Sequence, residues 1–311
     1  PTQRIKPVRR PADFVTPIPK PRKRKSKNEQ ASLLTIQELS TKQQEYHKGL
    51  INSIRNHVAA WRALPPSQWK VTPETARLLQ HWRHHEFGGI RPFFCQVEAV
   101  ETVIWLTEVA PQQGKFRELL DYLASASAEA NPGLSRLALK LATGAGKTTV
   151  MAMLIAWQTL NAVRNPRRTN FTKGFLIVAP GITIRDRLRV LLPNDPDAYY
   201  GARELVPTDM LRDLQQARIV ITNYHAFKLR EKLKVSGGTR AVLEGWRGER
   251  LDTRESEGEM LQRVMPELMG LKRVMVINDE AHHCYREKPE AEALLEEELG
   301  SLSGAEKTEA R

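Results

Sequence analysis

Thr143-Gly-Ala-Gly-Lys-Thr148 gathers two glycines, a lysine and two hydroxyls within six residues, a set suited to holding a chain of phosphates. An apolar run, Leu137 to Leu141, precedes it and reads as a strand; Lys147 to about Asn161 reads as a helix. Strand, glycine turn and helix then stand in the order a phosphate loop requires. Gly144 and Gly146 let backbone N–H groups curl around phosphate oxygens, and the helix presents its positive end to the same anion. Thr143, Ala145 and Thr149 complete the cradle. Lys147 is expected to reach the β- and γ-phosphates, and Thr148 to set its hydroxyl on Mg²⁺, a hard cation that prefers oxygen.

A second signal lies at Val274-Met-Val-Ile-Asn-Asp-Glu-Ala-His282, an apolar strand ending in two carboxylates. At the C-terminal edge of a parallel sheet, Asp279 is placed to hold the Mg²⁺ shell and Glu280 to orient and deprotonate an attacking water. Read alone, the two carboxylates could simply cap a helix after a buried strand. Following a phosphate loop in this order, they read as the other half of an ATP site.

Asp279-Glu-Ala-His282 is a DEAH box, and with it the chain resembles a superfamily 2 helicase. The position five residues before Gly146, a glycine in the usual phosphate loop, is Leu141; helicase-type loops tolerate an apolar residue there. Phe93-Phe-Cys-Gln96, followed by Glu98-Ala99, resembles the Q motif, which implies that the Gln96 amide reads the adenine edge while Phe93 stacks on the base. Ala179-Pro-Gly-Ile-Thr183 resembles motif Ia and Ile221-Thr-Asn-Tyr-His-Ala-Phe227 motif Ib. The resemblance makes Pro180, Gly181, Thr183, Thr222 and Asn223 contacts to a nucleic-acid backbone, and gives His282 the task of coupling nucleotide state to a second lobe.

Within that superfamily the wording of residues 139–148, 222–227 and 278–285 is similar to the restriction subunits of type III-like enzymes, a likeness that runs over about residues 50 to 286. It implies an ATP-dependent DNA translocase joined to a nuclease domain, with duplex DNA and a modification methyltransferase subunit as partners. No Ser-Ala-Thr motif follows the DEAH box and no nuclease constellation is legible. The expectation is therefore one lobe of a two-lobed motor, with little activity of its own because a second lobe normally supplies an arginine to the transferring phosphoryl group. An RNA helicase of the same superfamily and a catalytically silent nucleic-acid-binding protein remain alternatives.

These residues need elements to carry them. Beyond residue 91, short apolar runs at Leu137 to Leu141, Phe175 to Ala179, Arg218 to Thr222 and Val274 to Ile277 alternate with helical stretches, the pattern of a parallel sheet covered by helices. The expected fold is a RecA-like α/β lobe over 91–286. Before it, residues 31–90 read as a helical extension: Ile51, Ile54, Val58, Trp61 and Leu64 share one face, and Thr72-Pro-Glu-Thr75 offers a helix cap. Trp61, Trp69 and Trp82 read as packing for that extension rather than base-stacking platforms. His81, His84 and His85 read as a solvated helix face. Ser236 to Gly258 reads as an irregular insertion, and 287–311 as an acidic linker.

Across 311 residues the formal net charge is +12, which favours a polyanionic partner. Residues 1–30 hold ten Lys or Arg against Asp13 and Glu29, a net +8, among six prolines and no apolar periodicity; they read as a disordered basic arm. Cys95 and Cys284 are too few and too distant in sequence for a disulfide framework or a zinc site. His282-His-Cys284 are ligand types, but neighbouring side chains point apart and rarely close one tetrahedron. No run nears the roughly 18 apolar residues of a membrane span, and the expected compartment is cytoplasmic. If the arm neutralises phosphates, DNA binding should weaken with salt at a slope of about −0.9 per phosphate contacted. Deleting residues 1–27 should flatten that slope in titrations over a range of salt, and an unchanged slope would make the arm a bystander.

Overall fold

The computed structural model describes residues 49–130, 133–230 and 254–279. The basic arm, most of the expected insertion, Glu280, His282 and the acidic stretch lie outside these. The chain divides into two compact units, described separately below. One holds the described residues up to Arg168 together with Tyr199–Gln215; the other holds Thr169–Ala198 and the described residues from Gln216 onward.

The first unit is helical. Residues 49–62 form α1, which buries Ile54, Val58 and Trp61 at the 3–4 residue spacing of one helix face. Leu64, placed on that face by spacing, falls past the helix end and is exposed. α2 (Pro73–His84) starts where the cap was expected: the Thr72 hydroxyl accepts the Thr75 N–H, and proline fills the first helical position, where its missing N–H costs nothing. α3 (Phe94–Ile104) runs into a π-helical turn, Trp105–Val109, and α4 (Arg117–Ala130) follows. Trp61, Trp69 and Trp82 are all buried, and the Trp82 indole donates to the Leu205 carbonyl at 2.8 Å. The tryptophans are core residues.

α5 (Lys147–Arg164) is the spine of this unit. Every residue from Thr149 to Asn161 is buried, because α2 and α3 pack along it and the short helices α7 (Tyr199–Ala202) and α8 (Leu211–Leu214) close further sides. A helix enclosed on all sides must satisfy its polar side chains internally. Asn161 Nδ2 donates to the Thr75 hydroxyl at 3.0 Å, and the Trp157 indole donates to Glu108 Oε1 at 2.7 Å. Glu108, in the π-helical turn, also accepts the Thr75 hydroxyl at 2.7 Å and the Thr72 N–H at 3.1 Å. Burial pushes its carboxyl above the ordinary range, an effect opposed by these donors. Glu101, fully buried, sits between the guanidinium groups of Arg62 and Arg83, and Arg83 lies over the ring of Trp69 at 4.5 Å.

The second unit is built on a parallel sheet of β1 (Gly174–Ala179), β2 (Arg218–Asn223) and β3 (Met275–Asn278), in the order β2-β1-β3. Central β1 is buried along its whole length, as a strand with neighbours on both edges and cover on both faces should be. α6 (Ile182–Arg187) packs against β1 and β2. On one face Leu176, Val178 and Leu268 form a small core with Val220, Phe227 and Val274. α9 (Glu257–Val264) opens with a capping box between Ser256 and Glu259, so the expected irregular stretch gives way to helix before Gly258.

Three of the four expected strands form, each within a residue of its anticipated limits. Leu137 to Leu141 does not: it pairs with no strand among the described residues, and Leu137 and Leu139 are 45% and 36% exposed. Strand propensity needs a ladder and a covered face to act on, and among the described residues this run finds no ladder and leaves Leu137 and Leu139 exposed.

Among the described residues no helix is long and apolar enough to cross a membrane. Replacing Glu108 with alanine would strand the Thr72, Thr75 and Trp157 donors in the core. A stability loss on the order of 3 kcal/mol is expected from chemical denaturation, with loss of α5 packing visible in Trp157 fluorescence.

Candidate nucleotide site

The phosphate loop adopts the conformation its glycines permit. Gly144 and Gly146 stand at φ 78° and 75°, the left-handed region that costs an L-residue about 1–2 kcal/mol. The loop turns through an Ala145 N–H to Ala142 carbonyl bond of 3.1 Å. Gly146 then occupies the cap position of α5 and has no side chain with which to satisfy the helix's first N–H groups. A phosphate oxygen is the natural acceptor for such a terminus. Lys147 and Thr148 are half-buried in the first turn, and Thr149 is buried beneath them.

Gln96 fixes the loop from behind. Its amide nitrogen donates to the Ala145 carbonyl at 2.8 Å, while its amide oxygen accepts the Phe93 N–H at 2.9 Å. A methyl group at Gly146 would collide with this amide, whereas one at Gly144 would meet open space. Gln96 is only 4% exposed, with both ends of its amide in use. A primary amide keeps one further N–H and one further lone pair for another partner. Phe93, at the start of α3, is 45% exposed and available for stacking.

In the second unit, the remaining described residues of interest share one edge of the sheet. Asp279 follows β3, its N–H donating to the Val178 carbonyl at 3.0 Å. Pro180 and Gly181 follow β1, with Thr183 in α6, and Thr222 and Asn223 end β2, where Asn223 stands in register with Ala179. Asp279, Pro180, Gly181, Thr222 and Asn223 lie at or just past the C-terminal ends of parallel strands, where α/β folds bind ligands. The Asn223 side-chain oxygen accepts the Ala226 N–H at 3.0 Å and caps the turn Tyr224–Phe227. Arg263 of α9 holds that turn by donating to the Ala226 carbonyl at 3.0 Å and the Lys228 carbonyl at 3.2 Å, with Glu255 as its carboxylate partner. Arg263 stands outside every sequence motif, because a clamp made of backbone carbonyls leaves no pattern in residue types.

The described residues gather no group of three or more His, Cys, Asp or Glu that could hold a metal. The Thr148 hydroxyl in the first unit and the Asp279 carboxylate in the second are each hard oxygen donors, the type of ligand a divalent cation prefers.

The sequence pattern of the family described as type III restriction enzyme, res subunit, matches residues 90–299, about two thirds of the chain. The chain belongs to this family. As a res-subunit chain it carries a RecA-like phosphate-loop fold and a helicase-like, ATP-dependent motor domain of superfamily 2, whose ATP chemistry uses a divalent metal. No individual curated protein and no solved structure matches it. In the res-subunit chain the matched stretch begins just ahead of Phe93 and Gln96 and extends beyond the DEAH box, so every motif described above lies inside it.

The histidine cluster departs from expectation. His84 is exposed, but His81 and His85 stack at 4.3 Å between ring centres and converge on Glu204. The N–H of His81 Nε2 donates to the Glu204 carbonyl at 2.6 Å, and His85 Nε2 lies 2.8 Å from its carboxylate. Burial holds His81 below the ordinary histidine range. The His85 hydrogen bond, aided by the Gly88 N–H, holds the Glu204 carboxyl below the carboxylate range. Helical spacing put these histidines on one face, but their partner lies more than a hundred residues away and is invisible to local pattern.

The two glycines of the loop should respond differently to alanine. Gly144→Ala meets only backbone strain and should cost about 1 kcal/mol. Gly146→Ala adds the collision with Gln96 and should cost about 2–3 kcal/mol, with a matching loss of nucleotide affinity. Denaturation of both variants checks the order; equal costs would contradict the close packing of Gln96 on the loop.

Proposed function

We propose that this chain is the ATP-binding lobe of an ATP-dependent DNA translocase, the motor of a type III-like restriction enzyme. The observation that carries the reading is the left-handed pair Gly144 and Gly146 at the head of buried α5, within the stretch that matches the restriction-subunit family. Gly144, Ala145 and Gly146 turn backbone N–H groups toward the phosphates, with Thr143 and Thr149 at the ends of the cradle. Lys147 places its ammonium between the β- and γ-phosphates. Phe93 stacks on the adenine, and Gln96 reads its edge with the remaining N–H and lone pair of its amide. Thr148 and Asp279 would hold Mg²⁺, which would supply positive charge to neutralise the phosphates.

Glu280 orients a water and accepts its proton as the water oxygen attacks the γ-phosphorus. The bond to the β–γ bridging oxygen breaks, and ADP leaves. His282 couples the nucleotide state to the partner lobe. Pro180, Gly181, Thr183, Thr222 and Asn223 contact the backbone of duplex DNA from the C-terminal edge of the sheet. The excess of basic residues, concentrated in the first thirty, supports a polyanionic partner. A methyltransferase subunit completes the assembly, and the site of action is cytoplasmic.

Calorimetry with Mg·ATP tests the ATP roles. Lys147→Ala should weaken binding at least about tenfold, whereas Glu280→Gln should bind within about twofold of wild type and stop hydrolysis. Unchanged affinity in Lys147→Ala would overturn the phosphate-loop assignment. Duplex DNA should stimulate phosphate release more than structured RNA; the reverse order would make the polymer RNA.

A further inference from the structure

Arg203 belongs to none of the sequence motifs, yet it stands beside the phosphate loop. Its Nη1–H donates to the Thr149 hydroxyl at 3.1 Å. That hydroxyl lies 3.6 Å from where a β-carbon on Gly146 would sit, so the guanidinium reaches the inner wall of the loop. The group is held in plane from below as well, its central carbon lying 3.5 Å from the ring centre of Tyr199. A guanidinium stacked on an aromatic ring and tethered at one nitrogen keeps the rest of its fork to offer, and that fork matches the geometry of a phosphate.

The backbone next to Arg203 is built to aim it. Glu204 adopts φ 51°, one of two left-handed non-glycine residues among those described. Such strain persists only where the surroundings over-determine it, and it clusters at functional sites. Here the surroundings are explicit: His81 binds the Glu204 carbonyl, and His85 and the Gly88 N–H bind its carboxylate. The next residue, Leu205, is buried, and its carbonyl accepts the Trp82 indole. Four contacts thus hold the chain in a conformation it would not choose, immediately after a half-buried arginine that faces α5.

We propose that Arg203 is a phosphate-contacting residue of the nucleotide site, engaging the α- and β-phosphates. This inference rests on the phosphate-loop reading above. Its anchor, Thr149, is one residue past the hydroxyl assigned to Mg²⁺, so the guanidinium approaches the part of the phosphate chain cradled by loop N–H groups rather than the terminal phosphoryl group. Arg203 therefore strengthens binding of ADP and ATP alike. It is distinct in chemistry from Lys147, a point charge on the β- and γ-phosphates.

Fluorescence titration of the full chain with Mg²⁺ complexes of labelled ADP and ATP tests this. Arg203→Met, which keeps the alkyl stem over Tyr199, should weaken both nucleotides about tenfold without lowering the unfolding temperature. Arg203→Lys should recover part of that loss by restoring the charge. Thr149→Val, which removes the hydroxyl that tethers Arg203 and keeps the backbone by which residue 149 closes the cradle, should cost about twofold. Affinities unchanged in Arg203→Met would overturn the proposal. Equal losses in Thr149→Val and Arg203→Met would also overturn it, since Arg203 would then be a brace for the loop. A loss confined to ATP would overturn the assignment to the α- and β-phosphates. Lys147→Ala separates the two levels: weak binding there with full binding in Arg203→Met sinks the Arg203 proposal alone. Unaltered binding in Lys147→Ala removes the phosphate-loop reading and this inference together.

Discussion

Burial of α5 is the constraint on which the first unit depends. From Thr149 to Asn161 every residue of this helix is buried, so it can neither slide nor rotate without opening the core. Its first turn, with Lys147 and Thr148, is fixed as a consequence. Polar residues that would be a liability in such a core serve instead as locks. Thr72, Thr75, Glu108, Trp157 and Asn161 satisfy one another across three elements, and a network of that kind tolerates one register only. The hydrogen bond between Thr72 and Asn161 ties the cap of α2 directly to the last buried turn of α5. The segment before residue 91 is in this sense part of the frame of the phosphate loop.

At the head of α5 the rigidity has a purpose. A phosphate loop works when its N–H groups already converge, since ordering them on binding would consume the affinity they provide. Two left-handed glycines make convergence sterically feasible, and Gln96 holds it from behind by spanning Phe93 and Ala145. One buried amide thus links the exposed aromatic Phe93 with the glycine loop. The strained turn at Glu204 brings a further cation to the same place, with His81 and His85 opposing the strain. In the second unit the logic is simpler. Parallel strands deliver Asp279, Pro180 and Asn223 to one edge because successive parallel strands end on the same side.

Much of this could be read from residue order. The loop, the strand ending in Asp279, three strands of the sheet, the Thr72 cap and the burial of the tryptophans all follow from local rules: turn chemistry, apolar runs and capping geometry act within about ten residues. Where expectation failed, the limits of an element or a partner elsewhere in the chain decided. Leu137 to Leu141 has the composition of a strand but finds no ladder among the described residues, and Leu64 lost its place on a helix face because the helix stops short of it. Three histidines within five residues are the same pattern whether solvated or clamped; Glu204 decides, from more than a hundred residues away.

The sequence by itself determined the chemistry of this protein. Glycine at positions 144 and 146, lysine at 147, hydroxyls at 148 and 149 and a carboxylate at 279 fix which bonds can be made, because side-chain type sets donors, acceptors and permitted backbone angles. Tertiary structure alone decided how firmly and in what company those groups are held. Gln96 against Ala145, Glu108 among three donors, Arg263 across two carbonyls and Arg203 on Tyr199 beside Thr149 each join segments that share no local pattern. The physical reason is that a hydrogen bond or a stacking contact depends on position in space, and position is the outcome of packing the whole chain.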